Sequence, residues 1–128
     1  MIVDSSAIVA IHMREPGVDL LLRKIAEADP CGIGAPTLLE TTIVLTARSG
    51  QDARVLVARF LEEMGIVTIS FGDDHWRAAM DAFIRFGKGR HPVRLNFGDC
   101  MSYATALLAG QPLLCVGDDF SKTDIELA

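Results

Sequence analysis

The chain lacks an excess of positive charge, a cysteine framework and any long apolar run. Twelve lysines and arginines stand against seventeen acids, giving a formal net charge of −5, so the whole-chain basic footprint of a phosphate-gripping protein is missing. Cys31, Cys100 and Cys115 form neither a CxxC pair nor a Cys/His zinc pattern, which argues for reduced, mostly buried thiols. No apolar run approaches the roughly 18–20 residues that span a bilayer. The first residues lack the basic region and cleavage pattern of an export signal. A cytoplasmic protein with no membrane partner is expected. Repeats, linkers and low-complexity tracts are missing as well. Half of the residues are apolar, so a single domain over residues 1–128 with one substantial core is expected.

What is present is a regular alternation of short apolar strands with helices. Met1–Val3 reads as a buried strand, with Ser5 or Ser6 capping the helix that follows until Glu15-Pro16-Gly17 breaks it. A helix from about Val18 to Ala28 ends at Asp29-Pro30, and Gly32–Ala35 is a second strand. Pro36 suits the first turn of a helix that reaches Arg48 and stops at Ser49-Gly50. Asp52–Met64 reads as a helix with Leu56, Phe60, Leu61 and Met64 as its apolar stripe, followed by the strand Ile66–Ile69. Asp73 or Asp74 caps a helix in which Trp76, Ala79, Met80, Phe83 and Phe86 recur at helical spacing, a stripe expected to be core. A polar loop over Gly87–Leu95 leads to a helix opened by Gly98-Asp99, and Leu113–Val116 is the fourth strand. The pattern predicts an α/β domain on a parallel sheet.

Lysine and arginine are also missing around a few isolated acids. Asp4 is the only charged side chain in the first eleven residues, Glu40 the only one between Cys31 and Ala47, and Asp99 the only one between Leu95 and Gly117. Asp118 and Asp119 follow the apolar Pro112–Gly117 stretch. A carboxylate in apolar surroundings is costly unless paired. Ligands of open α/β sheets bind at the carboxyl ends of the strands, where Asp4 and the Asp118-Asp119 pair are expected and where helix starts carrying Glu40 and Asp99 also point. Like charges gathered there repel one another without cations, which makes Mg²⁺ or Mn²⁺ the economical partner. Each acid has a plainer reading too: Asp99 as a helix cap, Glu40 as a solvated helix residue, Asp118 and Asp119 as turn residues. Net charge does not settle the partner, because cations offset such a cluster and because Lys88, Arg90, His91 and Arg94 concentrate basic groups in a segment without acids. These four are candidate phosphate contacts, with a solvated loop as the alternative. His12 and His75 are read as helix residues without catalytic duty.

Several motifs, in this order and spacing, carry a resemblance over essentially the whole chain. They are Ile2-Val3-Asp4-Ser5-Ser6-Ala7, Pro36-Thr37-Leu38-Leu39-Glu40, Leu95–Ala104 with its Gly98-Asp99 centre, and Gln111–Leu114 followed by Gly117-Asp118-Asp119-Phe120. The chain resembles the PIN-domain ribonucleases, in particular the VapC-type toxins of bacterial toxin–antitoxin pairs. The resemblance implies a three-layer α/β/α domain with a central parallel sheet of four or five strands, a homodimer, and Mg²⁺-dependent cleavage of RNA. It places the family's acids on Asp4, Glu40 and Asp99, with Asp4 and Asp99 as metal ligands. Asp119, which abuts Phe120, is favoured as the fourth acid, and Asp118 is the alternative. Ser5 stands where Thr is common, keeping a hydroxyl that supports the site or caps the helix alongside Ser6. The expected partner is a VapB-type antitoxin that covers the cleft and contacts operator DNA itself, so that the toxin reaches DNA only indirectly.

The implied reaction is hydrolysis of an RNA phosphodiester, with Glu40 holding a second cation or activating water. A haloacid dehalogenase-like phosphotransferase would want an Asp where Ser6 stands. A receiver domain, a signalling alternative with a phosphoacceptor Asp, expects an acidic pair near strand one and a late Lys, for which Lys122 is a poor candidate. A PIN fold that only binds partners is the third alternative.

Overall fold

A computed structural model describes residues 1–89, 92 and 94–128. Three crossovers build it. β1 (Ile2–Val3) leads through α1 (Ser5–His12) and α2 (Val18–Glu27) to β2 (Cys31–Gly34). From there α3 (Ala35–Ser49) and α4 (Arg54–Glu63) lead to β3 (Ile66–Ile69), and α5 (Asp73–Phe86) and α6 (Phe97–Ala109) lead to β4 (Leu113–Leu114). The strands form one parallel sheet in the order β3-β2-β1-β4, with Ile2 opposite Gly32 on one side and Leu113 on the other. Among the described residues the sheet has four strands, and an isolated parallel bridge between Leu113 and Leu127 extends the pairing beyond β4.

Side-chain alternation along the strands divides the core into two layers. Val3, Ile33 and Leu114 pack with Ile8, Ile25, Leu45, Val57 and Leu61 from α1–α4. Ile2 and Leu113 face the other way and pack with Ala82, Phe86, Leu95 and Tyr103 from the α5–α6 side. Helices thus cover both faces, the arrangement a buried parallel sheet requires. Gly34 allows close approach of α6: a Cβ there would lie 2.6 Å from Thr105 Oγ1.

Several local expectations are corrected. Asp4, and neither Ser5 nor Ser6, caps α1, its carboxylate accepting from the Ser6 N–H. Gly72 precedes α5, with Asp73 and Asp74 inside the first turn, where their charge favours the helix start. Residue boundaries shift by a position or two, and β4 ends at Leu114. In α4 the buried face is Val57 and Leu61, while Leu56 is 51% exposed. The expected stripe of α5 is only partly core: Ala79 and Phe86 are buried, whereas Trp76 is 49% and Met80 47% exposed. Helical spacing identifies an apolar face but not what covers it. With Ala79, Phe83, Phe97 and Met101, Trp76 and Met80 line an open apolar hollow of about 400 Å³. A second hollow, of about 250 Å³, adjoins it through Phe97 and Met101 and extends the apolar band to Leu39 and Ile43.

Candidate active site

The chain order reverses between β1 and β4: it leaves β1 toward β2 and β3, then returns to the opposite side of β1. The crevice beyond the carboxyl ends of these two strands is the usual ligand position of an open α/β sheet. Asp4 stands at the end of β1 and is only 4% exposed. Its Oδ2 accepts from the Ser6 N–H at 2.9 Å and the Ser6 hydroxyl at 2.6 Å. Its Oδ1 accepts from the Ser102 hydroxyl at 2.6 Å. Ser6 Oγ in turn accepts from the Val116 N–H at 3.0 Å, joining the β1 and β4 ends of the crevice.

Asp99 lies in the first turn of α6. The cap itself is Asn96: its side chain accepts from the Asp99 N–H at 2.9 Å while Asp99 Oδ2 accepts from the Asn96 N–H at 2.8 Å. This reciprocal box fixes the Asp99 side chain at the helix start. Glu40 is in the second turn of α3 and lies over Gly98, where a Cβ would come within 2.5 Å of Oε1 and 2.7 Å of Oε2. The Ser5 side chain favours the ionised form of Glu40. Ser5 and Ser6 therefore address different acids.

The electrostatics show which acids share one space. Burial, and then the charges of Asp119, Asp4 and Glu40, push the Asp99 carboxyl up to about 6, against the backbone hydrogen bond that favours its ionised form. Burial and the Asp4 charge likewise raise Glu40. Of the Asp118-Asp119 pair, it is the Asp119 charge that acts on Asp99 and on Cys115. Burial and three of these acids also push the Cys115 thiol up to about 11, which makes it a poor nucleophile. Cys31 and Cys100 are buried and unbridged.

Among the described residues, no salt bridge reaches any of these acids; the ion pairs are Arg48–Glu15, Arg54–Asp52 and Arg85–Asp124. Nor do any three Asp, Glu, His or Cys side chains among the described residues form a ready-made metal-binding group. That spacing still suits Mg²⁺, which keeps several waters and takes one or two carboxylates from a protein instead of a tight cage. The donor set is all carboxylate oxygen and, among the described residues, pairs with no cationic side chain, so the residues fit a hard divalent cation.

Beside the acids, Pro92, Asp118, Asp119, Ser121 and Lys122 line a polar concavity of about 310 Å³. Lys88 and Arg94 are exposed, Arg94 in the left-handed region at φ 61°; Arg90 and His91 lie outside the described residues. His12 and His75 stand on α1 and α5, with His12 Nδ1 against the Ile8 carbonyl at 2.9 Å. Sequence reasoning left three neighbours out of the site. Lys122 brings positive charge to the rim, and Ser102 and Thr37 lie beneath Asp4, with their hydroxyl oxygens 3.0 Å apart. The available signal was spacing: Ser102 follows Asp99 by three residues and Thr37 precedes Glu40 by three, which puts each on its acid's side of the helix.

Comparison with known proteins follows the same outline. The PIN domain family matches residues 1–126. Ribonuclease VapC36 of Mycobacterium tuberculosis is 50% identical over 127 residues, covering 98% of this chain and 91% of that protein. Ribonuclease VapC of Mycolicibacterium smegmatis is 38% identical, with 98% and 97% covered. Among solved structures, VapC20 of M. tuberculosis, a toxin that cleaves the sarcin–ricin loop, superposes with a TM-score of 0.77 at 21% identity, covering 99% of this chain and 97% of that one. A toxin–antitoxin complex from Klebsiella pneumoniae gives 0.73 at 16% identity, over 99% and 95%. With this family match, this identity and the acid-lined crevice at its switch point, the chain belongs to the PIN-domain family and, within it, to the VapC ribonucleases.

Proposed function

We propose that the protein is a Mg²⁺-dependent endoribonuclease toxin, with Mn²⁺ as an alternative cation, held in check by a cognate antitoxin. The observation that carries this reading is the set of four acids from four parts of the chain sharing one crevice, with no cationic side chain paired to them among the described residues. Asp4 and Asp99 are the proposed metal-holding residues, with Asp119 as the fourth acid and Asp118 outside the direct site. Bound there, a divalent cation supplies charge neutralisation and Lewis-acid polarisation of a phosphate oxygen.

Glu40 accepts the proton of the attacking water, a role its raised pKa suits. Ser5 orients the Glu40 carboxylate, Ser6 holds Asp4, and the α1 and α6 N-termini add partial positive charge beside the scissile phosphate. In-line attack leaves a 5′-phosphate and a 3′-hydroxyl. Lys88, Arg90, His91 and Arg94, joined by Lys122, contact phosphates along the RNA and fix its position without selecting sequence.

The relatives' names and the toxin–antitoxin complex support an RNA substrate and an antitoxin partner. A positively charged antitoxin side chain entering the crevice would compete with the cation, and DNA is contacted only through the antitoxin. The apolar band of Trp76, Met80, Phe97, Leu39 and Ile43 is the proposed homodimer face. Phe97, at 79% exposure, is too costly a group to leave in water.

The test is cleavage of purified RNA by the antitoxin-free protein. Cleavage should stop with EDTA, return with Mg²⁺ or Mn²⁺, and yield 5′-phosphate ends. Cleavage indifferent to EDTA would overturn the mechanism.

A further inference from the structure

Asp4 is not held by the helix cap alone. Beneath it runs a buried chain of hydroxyls, Thr37 to Ser102 to Asp4, crossing from α3 through α6 to β1. Ser102 and Thr37 are both almost wholly inaccessible to solvent. A serine hydroxyl has one hydrogen, and that of Ser102 goes to Asp4 Oδ1 at 2.6 Å. The 3.0 Å contact between Thr37 Oγ1 and Ser102 Oγ must therefore run from Thr37 as donor. Each bond polarises the next in such a chain.

The lone pairs can be counted. An ionised carboxylate offers about four acceptor directions. Ser6 takes two on Oδ2 with its N–H and hydroxyl, and Ser102 takes one on Oδ1. One direction remains, on Oδ1, so by this count Oδ1 is the Asp4 oxygen left to take a cation. Ser102 sets the direction of that oxygen, and Thr37 sets the direction of Ser102. Because Thr37 stands one helical turn before Glu40 and Ser102 one turn after Asp99, the same chain ties together the three elements that carry Asp4, Glu40 and Asp99.

We propose that Ser102 and Thr37 are positioning residues: their hydroxyl relay aims Asp4 Oδ1 and fixes the spacing of the three acids, and so sets the affinity of the crevice for a divalent cation. The proposal rests on the metal-dependent reading above. A relay that merely satisfies buried polar groups would affect melting and leave cation affinity alone.

The experiment is calorimetric titration of the full chain with Mn²⁺, no RNA present, alongside circular dichroism. Ser102→Ala should weaken Mn²⁺ binding roughly tenfold or more, the range seen when partners of metal ligands are removed. Thr37→Val, which keeps the shape and removes the hydroxyl, should weaken it about threefold through the lost polarisation, while Thr37→Ser should bind as wild type. Because Thr37 acts through Ser102, adding Thr37→Val to Ser102→Ala should cost nothing more. Wild-type affinity in folded Ser102→Ala, or a full separate loss from Thr37→Val in the double variant, overturns the relay. If Ser102→Ala does not fold, the Thr37→Val and Thr37→Ser pair decides: equal affinities overturn the proposal. A wild-type chain that binds no Mn²⁺ overturns relay and metal dependence together, whereas wild-type binding that the variants share overturns the relay alone.

Discussion

Two groups of aspartates in this molecule receive opposite treatment. At the carboxyl end of the sheet, Asp99 sits among Asp119, Asp4 and Glu40 and is pushed up to about 6. At the outer side of α5 and α6, Asp124 accepts from Tyr103 Oη at 2.6 Å and from the Arg85 guanidinium at 2.7 Å. Those two bonds hold its carboxyl below the usual range. The same side chain is thus stabilised as an anion in one place and opposed as an anion in the other. Asp124 closes the C-terminal turns onto the core. In the crevice, burial first and neighbouring acids second oppose the ionisation of Asp99 and Glu40, an opposition that a bound cation would relieve.

The sharpest way to break this contrast is to remove one charge from each group. Asp4→Asn or Asp99→Asn should abolish RNA cleavage while circular dichroism stays native, and Glu40→Gln should lower it by about 100-fold or more, the contribution of a general base. Asp124→Asn should leave cleavage near wild type and lower the melting temperature. Full cleavage by both Asp4→Asn and Asp99→Asn would end the distinction.

A second prediction concerns the sign of the pH dependence of stability. Asp99 has a raised folded pKa, so without metal the folded state binds more protons than the unfolded one between the ordinary value of 3.8 and about 6. Stability contributed through Asp99 therefore falls as pH rises through that window. Asp124, with a lowered folded pKa, contributes stability above the ordinary aspartate range that is lost as pH falls through its folded value. Metal-free melting curves should show Asp99→Asn removing a destabilisation that sets in between pH 4 and 6, with Asp124→Asn removing a stabilisation on the opposite slope. Added Mg²⁺ should flatten the Asp99 contribution, since a bound cation favours the ionised form. The smallest effect is expected from Tyr103→Phe. It deletes the short bond to Asp124 and a long 3.5 Å bond from Arg85 while Arg85 still holds Asp124, and should cost about 1 kcal/mol in denaturant unfolding with cleavage unchanged.

The sequence made the charged part of the site more legible than its supports. Asp4, Glu40 and Asp99 stand out because no other charge lies near them in the chain, and strand–helix alternation implied which sheet edge they approach. Asp119 and Asp118 were not separable, because a turn sets direction through backbone geometry that spacing does not encode. Ser102 was invisible as a support for Asp4: the two are 98 residues apart and meet only because α6 packs across β1. Asp99 reads equally as a cap, and in fact takes part in one, with Asn96 as the cap residue. Trp76 and Met80 show the opposite failure. Their helical spacing is real, but amphipathicity within one chain cannot say whether that chain or another molecule covers the face.

The contact between Glu40 and Gly98 offers a practical handle. Alanine is favoured over glycine in a helix by about 1 kcal/mol, so Gly98→Ala should leave α6 at least as well formed. Yet its methyl group would occupy the space where the Glu40 carboxylate now rests. The flexible glutamate would swing aside while the other acids stay in place and the net charge is unchanged. Such a chain would be a disarmed toxin of unaltered charge, suited to expression without its antitoxin and to capturing uncleaved RNA.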